Sequence, residues 1–256
     1  MIIYFTATGN SKYTAERLAK ALADTAVSCT SLMERGEKTI HLKEGERLGI
    51  VSPTYCSLLP SVMERFLCDL KIEWDGEAAP YLYFVATYAL SPGMTGKLVR
   101  RILRENGYRL SAAFGVPMQN NCTMLVDVTK KETVASHNAK GDEAIDRILP
   151  SVIQCEPGNR LRPELPLAME NVFRRFYDGI RATAHWKLKE DRCTGCGLCQ
   201  KICPEQAIRI ENGKPVWVKT RCSACFACLH RCPAFAIQHW DFTEHHGQYV
   251  HPDTDL

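Results

Sequence analysis

Eight cysteines in the C-terminal part of this 256-residue chain form two copies of one short motif. Each copy has the spacing C-x2-C-x2-C-x3-C-P, in which soft thiolate ligands can hold an iron–sulfur cluster. Paired C-x2-C units also bind zinc, so zinc is the alternative chemistry. The first copy consists of Cys193, Cys196, Cys199, Cys203 and Pro204, and the second of Cys222, Cys225, Cys228, Cys232 and Pro233.

The similarity between the two copies extends beyond the cysteines. Aligning residues 193–208 with 222–237 also pairs Ala207 with Ala236 and Ile208 with Ile237. A zinc site does not need a third cysteine and a Cys-Pro in each of two copies, so the pattern favours iron–sulfur chemistry over zinc. We therefore expect a repeated structural unit that takes part in electron transfer.

The segment from about Ala184 to His239 resembles the bacterial two-cluster ferredoxins. In that family the fourth cysteine of each motif ligates the cluster of the other motif. The resemblance implies a small α+β domain with two 4Fe–4S clusters. One cluster would be held by Cys193, Cys196, Cys199 and Cys232, and the other by Cys222, Cys225, Cys228 and Cys203.

The N-terminal residues indicate a second kind of site. Met1–Thr6 is apolar and rich in β-formers, and a helical period begins at Ser11 after a loop of small residues. A strand, a short loop and a helix N-terminus form an anion site, because the first amides of a helix have no intrahelical partner. The loop does not fit the nucleotide-triphosphate pattern G-x-x-x-x-G-K-[ST], and an ordinary helix start in another α/β fold is the alternative. The predicted phosphate-binding residues are Thr6, Ala7, Thr8, Gly9, Asn10 and Ser11.

Strands and helices alternate along the first 149 residues. Buried strands are predicted at Arg47–Ser52, Tyr81–Thr87 and Leu110–Pro117, with a helix after each. This alternation predicts an α/β fold with a parallel sheet and helices on both faces. Ligands of such sheets bind beyond the carboxyl ends of the strands.

The loop Thr6–Ser11 is similar to the T-x-T-G-x-T loop of the short-chain flavodoxins, with Ser11 in the last threonine position. The resemblance, over Met1–Leu149, implies a doubly wound five-stranded parallel sheet that binds FMN. By this resemblance the phosphate lies in the Thr6–Ser11 loop, and Tyr55 or Tyr88 stacks on the ring, although ordinary packing of either tyrosine is the alternative. Pro53, Thr54, Tyr55 and Cys56 would border one side of the ring, and Thr87, Tyr88 and Gly93 the opposite side.

A proline-rich stretch separates the two parts of the chain. We expect a flavodoxin-like domain over residues 1–149, a connector over 150–183 in which Pro150 ends the preceding helix, and a ferredoxin domain over 184–256. A helix in the connector is expected to pack one domain against the other through Val172, Phe173, Phe176 and Ile180, with its arginines in solvent. The polar C-terminal tail, which contains His245, His246 and His251, is expected to be solvated.

Composition narrows the functional classes. The net charge of +3 gives no footprint for nucleic acid or for a membrane surface, and no apolar run reaches transmembrane length. The N-terminal residues MIIYF read as a strand and not as a signal peptide. Thirteen cysteines, most of them in cluster spacing, favour a reducing compartment, so we expect a cytoplasmic protein.

The chain as a whole resembles the flavodoxin–ferredoxin fusion proteins of anaerobic bacteria and archaea. The resemblance implies an electron-transfer protein that passes electrons between FMN and two 4Fe–4S clusters and exchanges them with a redox partner protein, such as a ferredoxin, a flavodoxin or an oxidoreductase. Two alternatives stay open: a flavin-dependent reductase with its own small-molecule substrate, and a flavin-free iron–sulfur sensor or binding protein. The sequence contains no NAD fingerprint and no recognisable catalytic acid, which favours the carrier.

Overall fold

The N-terminal part of the protein is a parallel sheet covered by helices on both faces. The computed structural model describes residues 1–161 and 163–256. Eight strands lie in this part: β1 (Ile2–Tyr4), β2 (Ala26–Ser28), β3 (Thr39–Leu42), β4 (Arg47–Pro53), β5 (Lys71–Trp74), β6 (Tyr81–Tyr88), β7 (Ala112–Pro117) and β8 (Gly158–Asn159). The helices are α1 (Asn10–Ala21), α2 (Cys29–Glu34), α3 (Ser61–Asp69), α4 (Thr95–Glu105) and α5 (Lys131–Ile153).

The main sheet has the strand order β2-β1-β4-β6-β7-β8, and all of its strands run parallel. When the strands β1, β2, β4, β6 and β7 are renumbered 1 to 5 in chain order, their order in the sheet is 2-1-3-4-5. This is the order of doubly wound flavodoxin-like sheets. The predicted α/β fold is confirmed, with a sixth strand of two residues added beside β7. Strands β3 and β5 form a separate parallel pair, which the sequence did not predict.

The strands are apolar on both sides because each face of the sheet is covered. Alternate residues point to opposite faces, so Leu82 and Phe84 pack into one hydrophobic core while Tyr83 and Val85 pack into the other. Helices α3 and α4 cover the first face, and α1 and α5 cover the second. This double burial explains the nearly continuous apolar runs in β4 and β6.

Two details of the predicted connector are wrong. Pro150 does not end the preceding helix, since α5 continues through it to Ile153. A proline lacks only one amide donor and bends the helix, which is tolerable here because Pro150 is exposed and lies in the last turn. The connector also supplies β8 to the sheet, so part of it belongs to the N-terminal fold.

The connector helix α6 (Glu170–Ile180) packs through a face that agrees only in part with the predicted one. Tyr177 is buried, and Phe173 and Ile180 pack partly against the core. Val172 and Phe176 are instead 65% and 60% exposed. The prediction followed apolarity alone, whereas the face is set by polar contacts that Arg174 and Tyr177 make with the rest of the protein.

The C-terminal part contains two small antiparallel strand pairs and two short helices. Each helix follows the first two cysteines of one motif and contains the third. Gly195 and Gly197 in the first loop have positive φ angles, as do Ala224 and Phe226 at the aligned positions of the second loop. The repeat in the sequence is therefore also a repeat in the backbone. The elements are β9 (Trp186–Leu188), α7 (Leu198–Lys201), β10 (Ile208–Glu211), β11 (Lys214–Trp217), α8 (Ala227–His230) and β12 (Ile237–His239), in which β9 pairs with β12 and β10 with β11.

The expectation of a solvated tail is wrong. His251 is 2% exposed, and its backbone N–H donates to the Thr8 carbonyl at 2.8 Å. His246 Nδ1 lies 2.5 Å from the Thr123 carbonyl, while His245 stays exposed. The C-terminal residues thus pack on the N-terminal domain. Over the described residues, no helix is both long and apolar enough to cross a membrane.

Candidate functional site

A cavity of about 410 Å³ lies at the carboxyl ends of the sheet strands. Four loops converge there, one after each of β1, β4, β6 and β7, because parallel strands end at the same edge of a sheet. The predicted residues that line the cavity are Thr6, Ala7, Thr8, Asn10, Ser11, Pro53, Thr54, Tyr55, Thr87 and Tyr88.

Three predicted residues lie outside the cavity wall. Gly9 faces the C-terminal segment, and Gly93 packs against Ser57. Cys56 follows Tyr55 in the chain but does not line the cavity. A Cβ atom on Gly93 would lie 2.3 Å from Ser57 Cα, so this glycine allows two loops to approach each other. In this structure Gly93 serves the close packing of the two loops.

The fourth loop, which follows β7, was not among the predicted site residues. Met118, Gln119, Asn120 and Asn121 line the cavity. The amide side chains tie this loop to the phosphate loop: Asn121 Nδ2 donates to Thr8 Oγ1 at 2.9 Å, and Asn10 Nδ2 donates to the Gln119 carbonyl at 2.8 Å. Its position directly after a predicted strand was the available signal.

The loop between β1 and α1 offers unpaired amides to an anion. The first intrahelical bond of α1 runs from the Tyr13 N–H to the Gly9 carbonyl at 2.8 Å, so the amides of Asn10, Ser11 and Lys12 precede it. The hydroxyl groups are already ordered, because Thr6 Oγ1 accepts from the Gly9 N–H at 3.0 Å and Ser11 Oγ lies 2.7 Å from Thr87 Oγ1. Free amides at a helix N-terminus, beside ordered hydroxyls, fit the phosphate of FMN.

The aromatic wall of the cavity also fits a flavin. Tyr55 and Tyr88 both line it, and a planar ring can stack on either. The Tyr55 hydroxyl is buried and has no hydrogen-bond partner among the described residues. Burial, followed by the nearby Cys225, Tyr177 and Cys122, raises the pKa of Tyr55 well above its usual value, so this phenol stays protonated.

The first thiol cavity has a volume of about 360 Å³. Cys193, Cys196 and Cys199 line it together with Cys232, the last cysteine of the other motif. The rest of the wall is largely apolar and includes Ile210 and Ile237. Cys196 is exposed, so this cavity reaches the protein surface.

The second thiol cavity, of about 320 Å³, brings together Cys222, Cys225, Cys228 and Cys203. It lies deeper, since Cys222 and Cys225 are each 9% exposed. Burial raises the pKa of the Cys225 thiol to about 12, because an uncompensated thiolate is costly in an apolar wall. Four thiols around an apolar cavity fit an iron–sulfur cube, whose iron takes up the thiolate charge.

Amide-to-sulfur contacts repeat between the two motifs. The Ala207 N–H donates to Cys203 Sγ at 3.3 Å, and the Ala236 N–H donates to Cys232 Sγ at 3.3 Å. These are the alanines that align in the sequence repeat. In the second motif the Ala224 N–H also donates to Cys222 Sγ at 3.3 Å. Such bonds stabilise the reduced, more negative form of a cluster and therefore tune its potential.

The second thiol cavity faces the cavity at the carboxyl ends of the strands, here called the flavin-type cavity. Tyr55 lines the latter, and Cys225, which lines the former, lies close enough to raise the pKa of Tyr55. Tyr55, Cys225 and Phe226 also belong to one hydrophobic cluster that is continuous with the core of the sheet. The two cavities are thus separated by packed side chains.

Polar contacts attach the surroundings of the second thiol cavity to the sheet domain and to the connector helix. Glu205, just after Cys203-Pro204, accepts from Ser61 Oγ at 2.7 Å and from Arg65 Nη1 at 3.0 Å. On the connector helix, the Tyr177 hydroxyl donates to the Ser223 carbonyl at 2.7 Å and Arg181 Nε donates to the Cys222 carbonyl at 2.7 Å. Arg181 was expected in solvent, but it binds the backbone of a cluster motif.

Comparison with protein families identifies both parts of the chain. Residues 1–89 match the family described as flavodoxin domain, and residues 185–233 match the 4Fe-4S dicluster domain. The chain therefore carries a flavodoxin domain followed by a 4Fe-4S dicluster domain, a combination that defines a redox protein. The first domain points to FMN and the second to iron–sulfur clusters.

Two solved structures are similar to part of the chain. Rubredoxin oxygen:oxidoreductase from the anaerobe Desulfovibrio gigas has 14% sequence identity and a TM-score of 0.33, over 59% of this chain and 35% of that one. Trp repressor binding protein from Bacillus subtilis has 10% identity and a TM-score of 0.35, over 58% of this chain and 94% of that one. The matched region thus spans about a third of the Desulfovibrio protein. No curated protein matches the chain.

Proposed function

We propose that this protein is an electron carrier that passes electrons between FMN and two 4Fe–4S clusters and exchanges them with an external redox protein. The FMN would occupy the cavity at the strand ends, with its phosphate at Thr6–Ser11. One cluster would be bound in the first thiol cavity and the other in the second. The observation that carries the proposal is the position of Tyr55, which lines the flavin-type cavity and packs against the same hydrophobic cluster that contains Cys225.

The order of the cofactors follows from burial. The second thiol cavity is buried against the flavodoxin domain, whereas the first opens to the surface at Cys196. Electrons would therefore pass between FMN and the second-motif cluster, then to the first-motif cluster, and leave at the exposed Cys196 loop. Each fully reduced flavin carries two electrons and each cluster accepts one, so the two clusters together balance one flavin.

The residues of the chain have distinct tasks in this scheme. The amides at the start of α1 would bind the phosphate, and the tyrosines of the wall would hold the ring. The packed wall between the flavin-type cavity and the second thiol cavity would keep water out of the path of the electrons. The amide-to-sulfur bonds would make the clusters easier to reduce, and the additional bond to Cys222 favours a higher potential for the second-motif cluster.

Zinc is disfavoured by the repeated motif. One zinc ion takes four ligands and does not need a third cysteine and a Cys-Pro in each of two copies. Among the described residues, no three His, Cys, Asp or Glu side chains converge as a single-ion site needs.

The exposed cluster loop suggests the kind of partner, and the reduced thiols suggest the compartment. A carrier whose outer cluster opens at a small surface loop suits a protein partner, such as a ferredoxin, a flavodoxin or an oxidoreductase. The many reduced thiols suit a reducing compartment, for which we propose the cytoplasm.

The test is anaerobic purification followed by quantification of iron, sulfide and released flavin. The proposal expects about eight iron, about eight sulfide and one FMN for each chain, as two 4Fe–4S clusters and one flavin require. Full iron without flavin uptake on addition of FMN would leave a flavin-free iron–sulfur protein. Zinc in place of iron would contradict the proposal entirely. Turnover of a small molecule with the reduced protein would instead favour the reductase.

A further inference from the structure

The C-terminal segment Tyr249–Leu256, here called the strap, lies across the phosphate loop. Within it, the His251 N–H donates to the Thr8 carbonyl at 2.8 Å, and the His251 ring stacks on Tyr13 with centroids 4.0 Å apart. The Tyr249 hydroxyl donates to Asn10 Oδ1 at 2.7 Å. The strap therefore contacts Thr8 in the loop and both Asn10 and Tyr13 at the start of α1.

The strap holds the loop from the side opposite the cavity. Thr8 and Asn10 line the cavity, whereas Gly9 between them faces the strap. A Cβ atom on Gly9 would lie 2.7 Å from His251 Cβ and 2.9 Å from Thr254 Cγ2, so only a glycine permits this approach. Gly9 also has a φ of 104°, which side chains rarely adopt.

This contact orients the peptide groups of the loop. Because the Thr8 carbonyl accepts from His251, that carbonyl points away from the cavity, and an anion at the cavity does not meet it. The Asn10 side chain is fixed at both ends, since its oxygen accepts from Tyr249 and its nitrogen donates to the Gln119 carbonyl. The strap thus joins the phosphate loop to the loop after β7.

The other end of the strap is anchored on the second cysteine motif. The Tyr249 N–H donates to His230 Nδ1 at 3.1 Å, and His230 Nε2 lies 2.7 Å from the Asn121 carbonyl. His230 lies on α8 between Cys228 and Cys232. With Nδ1 as an acceptor, Nε2 carries the proton and donates to Asn121, so one neutral tautomer satisfies both contacts.

We propose that the strap is a positioning element of the flavin site, which holds the phosphate loop in its anion-binding conformation and makes FMN affinity depend on the folded second cysteine motif. The proposal rests on FMN being the ligand of the cavity. The Thr8 and Asn10 contacts act on the phosphate end, so the strap should matter for FMN and not for riboflavin, which lacks the phosphate.

The experiment compares the full chain with a variant that lacks residues 249–256. Binding of FMN and of riboflavin to the flavin-depleted proteins is measured by flavin fluorescence, with iron and sulfide quantified in each sample. We expect FMN to bind at least about tenfold more weakly to the shortened variant, because the loop would sample its binding conformation less often. Riboflavin affinity should be unchanged.

A second variant tests the strap in the full-length chain. Tyr249→Phe removes the hydroxyl that reaches Asn10 Oδ1 at 2.7 Å and Asn138 Oδ1 of α5 at 3.0 Å. It should weaken FMN binding about threefold, as expected for the loss of a modest hydrogen bond to the phosphate loop. Tyr81→Phe is the matched control, because it removes a tyrosine donor to the Glu156 carbonyl without contact to the cavity. It should leave FMN affinity unchanged.

The outcomes separate the strap from the proposed function. Equal FMN affinity in the full and shortened chains, or equal losses for FMN and riboflavin, would overturn the role of the strap. Failure of the full-length protein to bind either flavin would instead overturn the proposed function. If the shortened chain loses its iron and cannot be compared, the result for Tyr249→Phe against Tyr81→Phe decides.

Discussion

Neutralising Glu170 should loosen the connector helix from the flavodoxin domain. Arg101 holds the Glu170 carboxylate with two hydrogen bonds of 2.7 and 2.8 Å, and Arg174 Nε adds a third at 2.8 Å. Arg174 also reaches Glu64 on α3. The perturbation Glu170→Gln keeps the shape of the side chain and removes its charge from this four-residue network.

The expected loss is worked out from the pKa of Glu170. The hydrogen bonds from Arg101, and then those from Arg174, lower this pKa to about 2 from an ordinary value of 4.5. At 1.36 kcal/mol for each pKa unit the difference corresponds to about 3 kcal/mol. The arginine partners are about a third exposed, so we reduce the expected loss to about 2 kcal/mol for solvent screening.

The assay is the thermal midpoint by circular dichroism under anaerobic conditions. A loss of about 2 kcal/mol should lower the midpoint by about 4–8 °C for a chain of this size. Because the folded pKa lies below the unfolded value, the stabilisation is complete above about pH 4.5 and is lost only as the pH falls towards 2. The difference between the variant and the natural chain should thus be constant from pH 7 to about pH 5.

The control is Glu143→Gln, which neutralises an exposed glutamate of α5. It should leave the midpoint within about 1 °C, since exposed charges contribute little. A midpoint for Glu170→Gln that matches this control would refute the reasoning. So would a difference that grows between pH 7 and pH 5, because no lowered carboxyl pKa produces that dependence.

Three further predictions concern the cofactor sites. Cys232→Ser should alter the EPR signal and potential of the first-motif cluster, and Cys203→Ser those of the second; the opposite assignment would contradict the crossed ligand sets. Tyr55→Leu should slow electron exchange between FMN and the clusters in flash photolysis and weaken FMN binding by about 0.5–1.5 kcal/mol, whereas Tyr55→Phe keeps the ring and should preserve both. Gly93→Ala should cost at least about 2 kcal/mol of stability, against about 1 for Gly107→Ala, which has a positive φ but open space around it; equal losses would refute the steric argument.

The central strands of the sheet and the position of the loop Thr6–Ser11 could be predicted because their signals are local, whereas the strand order came from the resemblance to flavodoxins. The residues of β4 and β6 are apolar without interruption, which indicates strands buried on both faces. The small residues of Thr6–Ser11 follow one strand and begin a helix, which fixes their place at the carboxyl edge. The crossed sets of thiols were predicted through family resemblance, and the structure brings each set to one cavity.

The contacts of the strap could not be predicted because they carry no periodic pattern. Tyr249 and Asn10 are 239 residues apart, and a polar segment with a proline reads as solvated when the partner surface is unknown. The prediction that Val172 and Phe176 are buried was wrong for the opposite reason, because a periodic pattern was present but did not decide the packing. Their spacing indicated a buried face, but Tyr177 and Arg174 on the same helix have polar partners elsewhere, and those contacts rotate the helix.

Three independent connections between the domains bear on how the proposed carrier would work. Glu205 binds α3, α6 binds the Ser223 and Cys222 carbonyls, and the strap runs from His230 to the phosphate loop. These contacts involve residues next to the second thiol cavity and the phosphate loop of the flavin-type cavity. A flexible linker would make internal electron exchange wait for the domains to meet, whereas three such connections keep the separation of the two cavities constant. Exchange with the partner would then be the only step that requires an encounter.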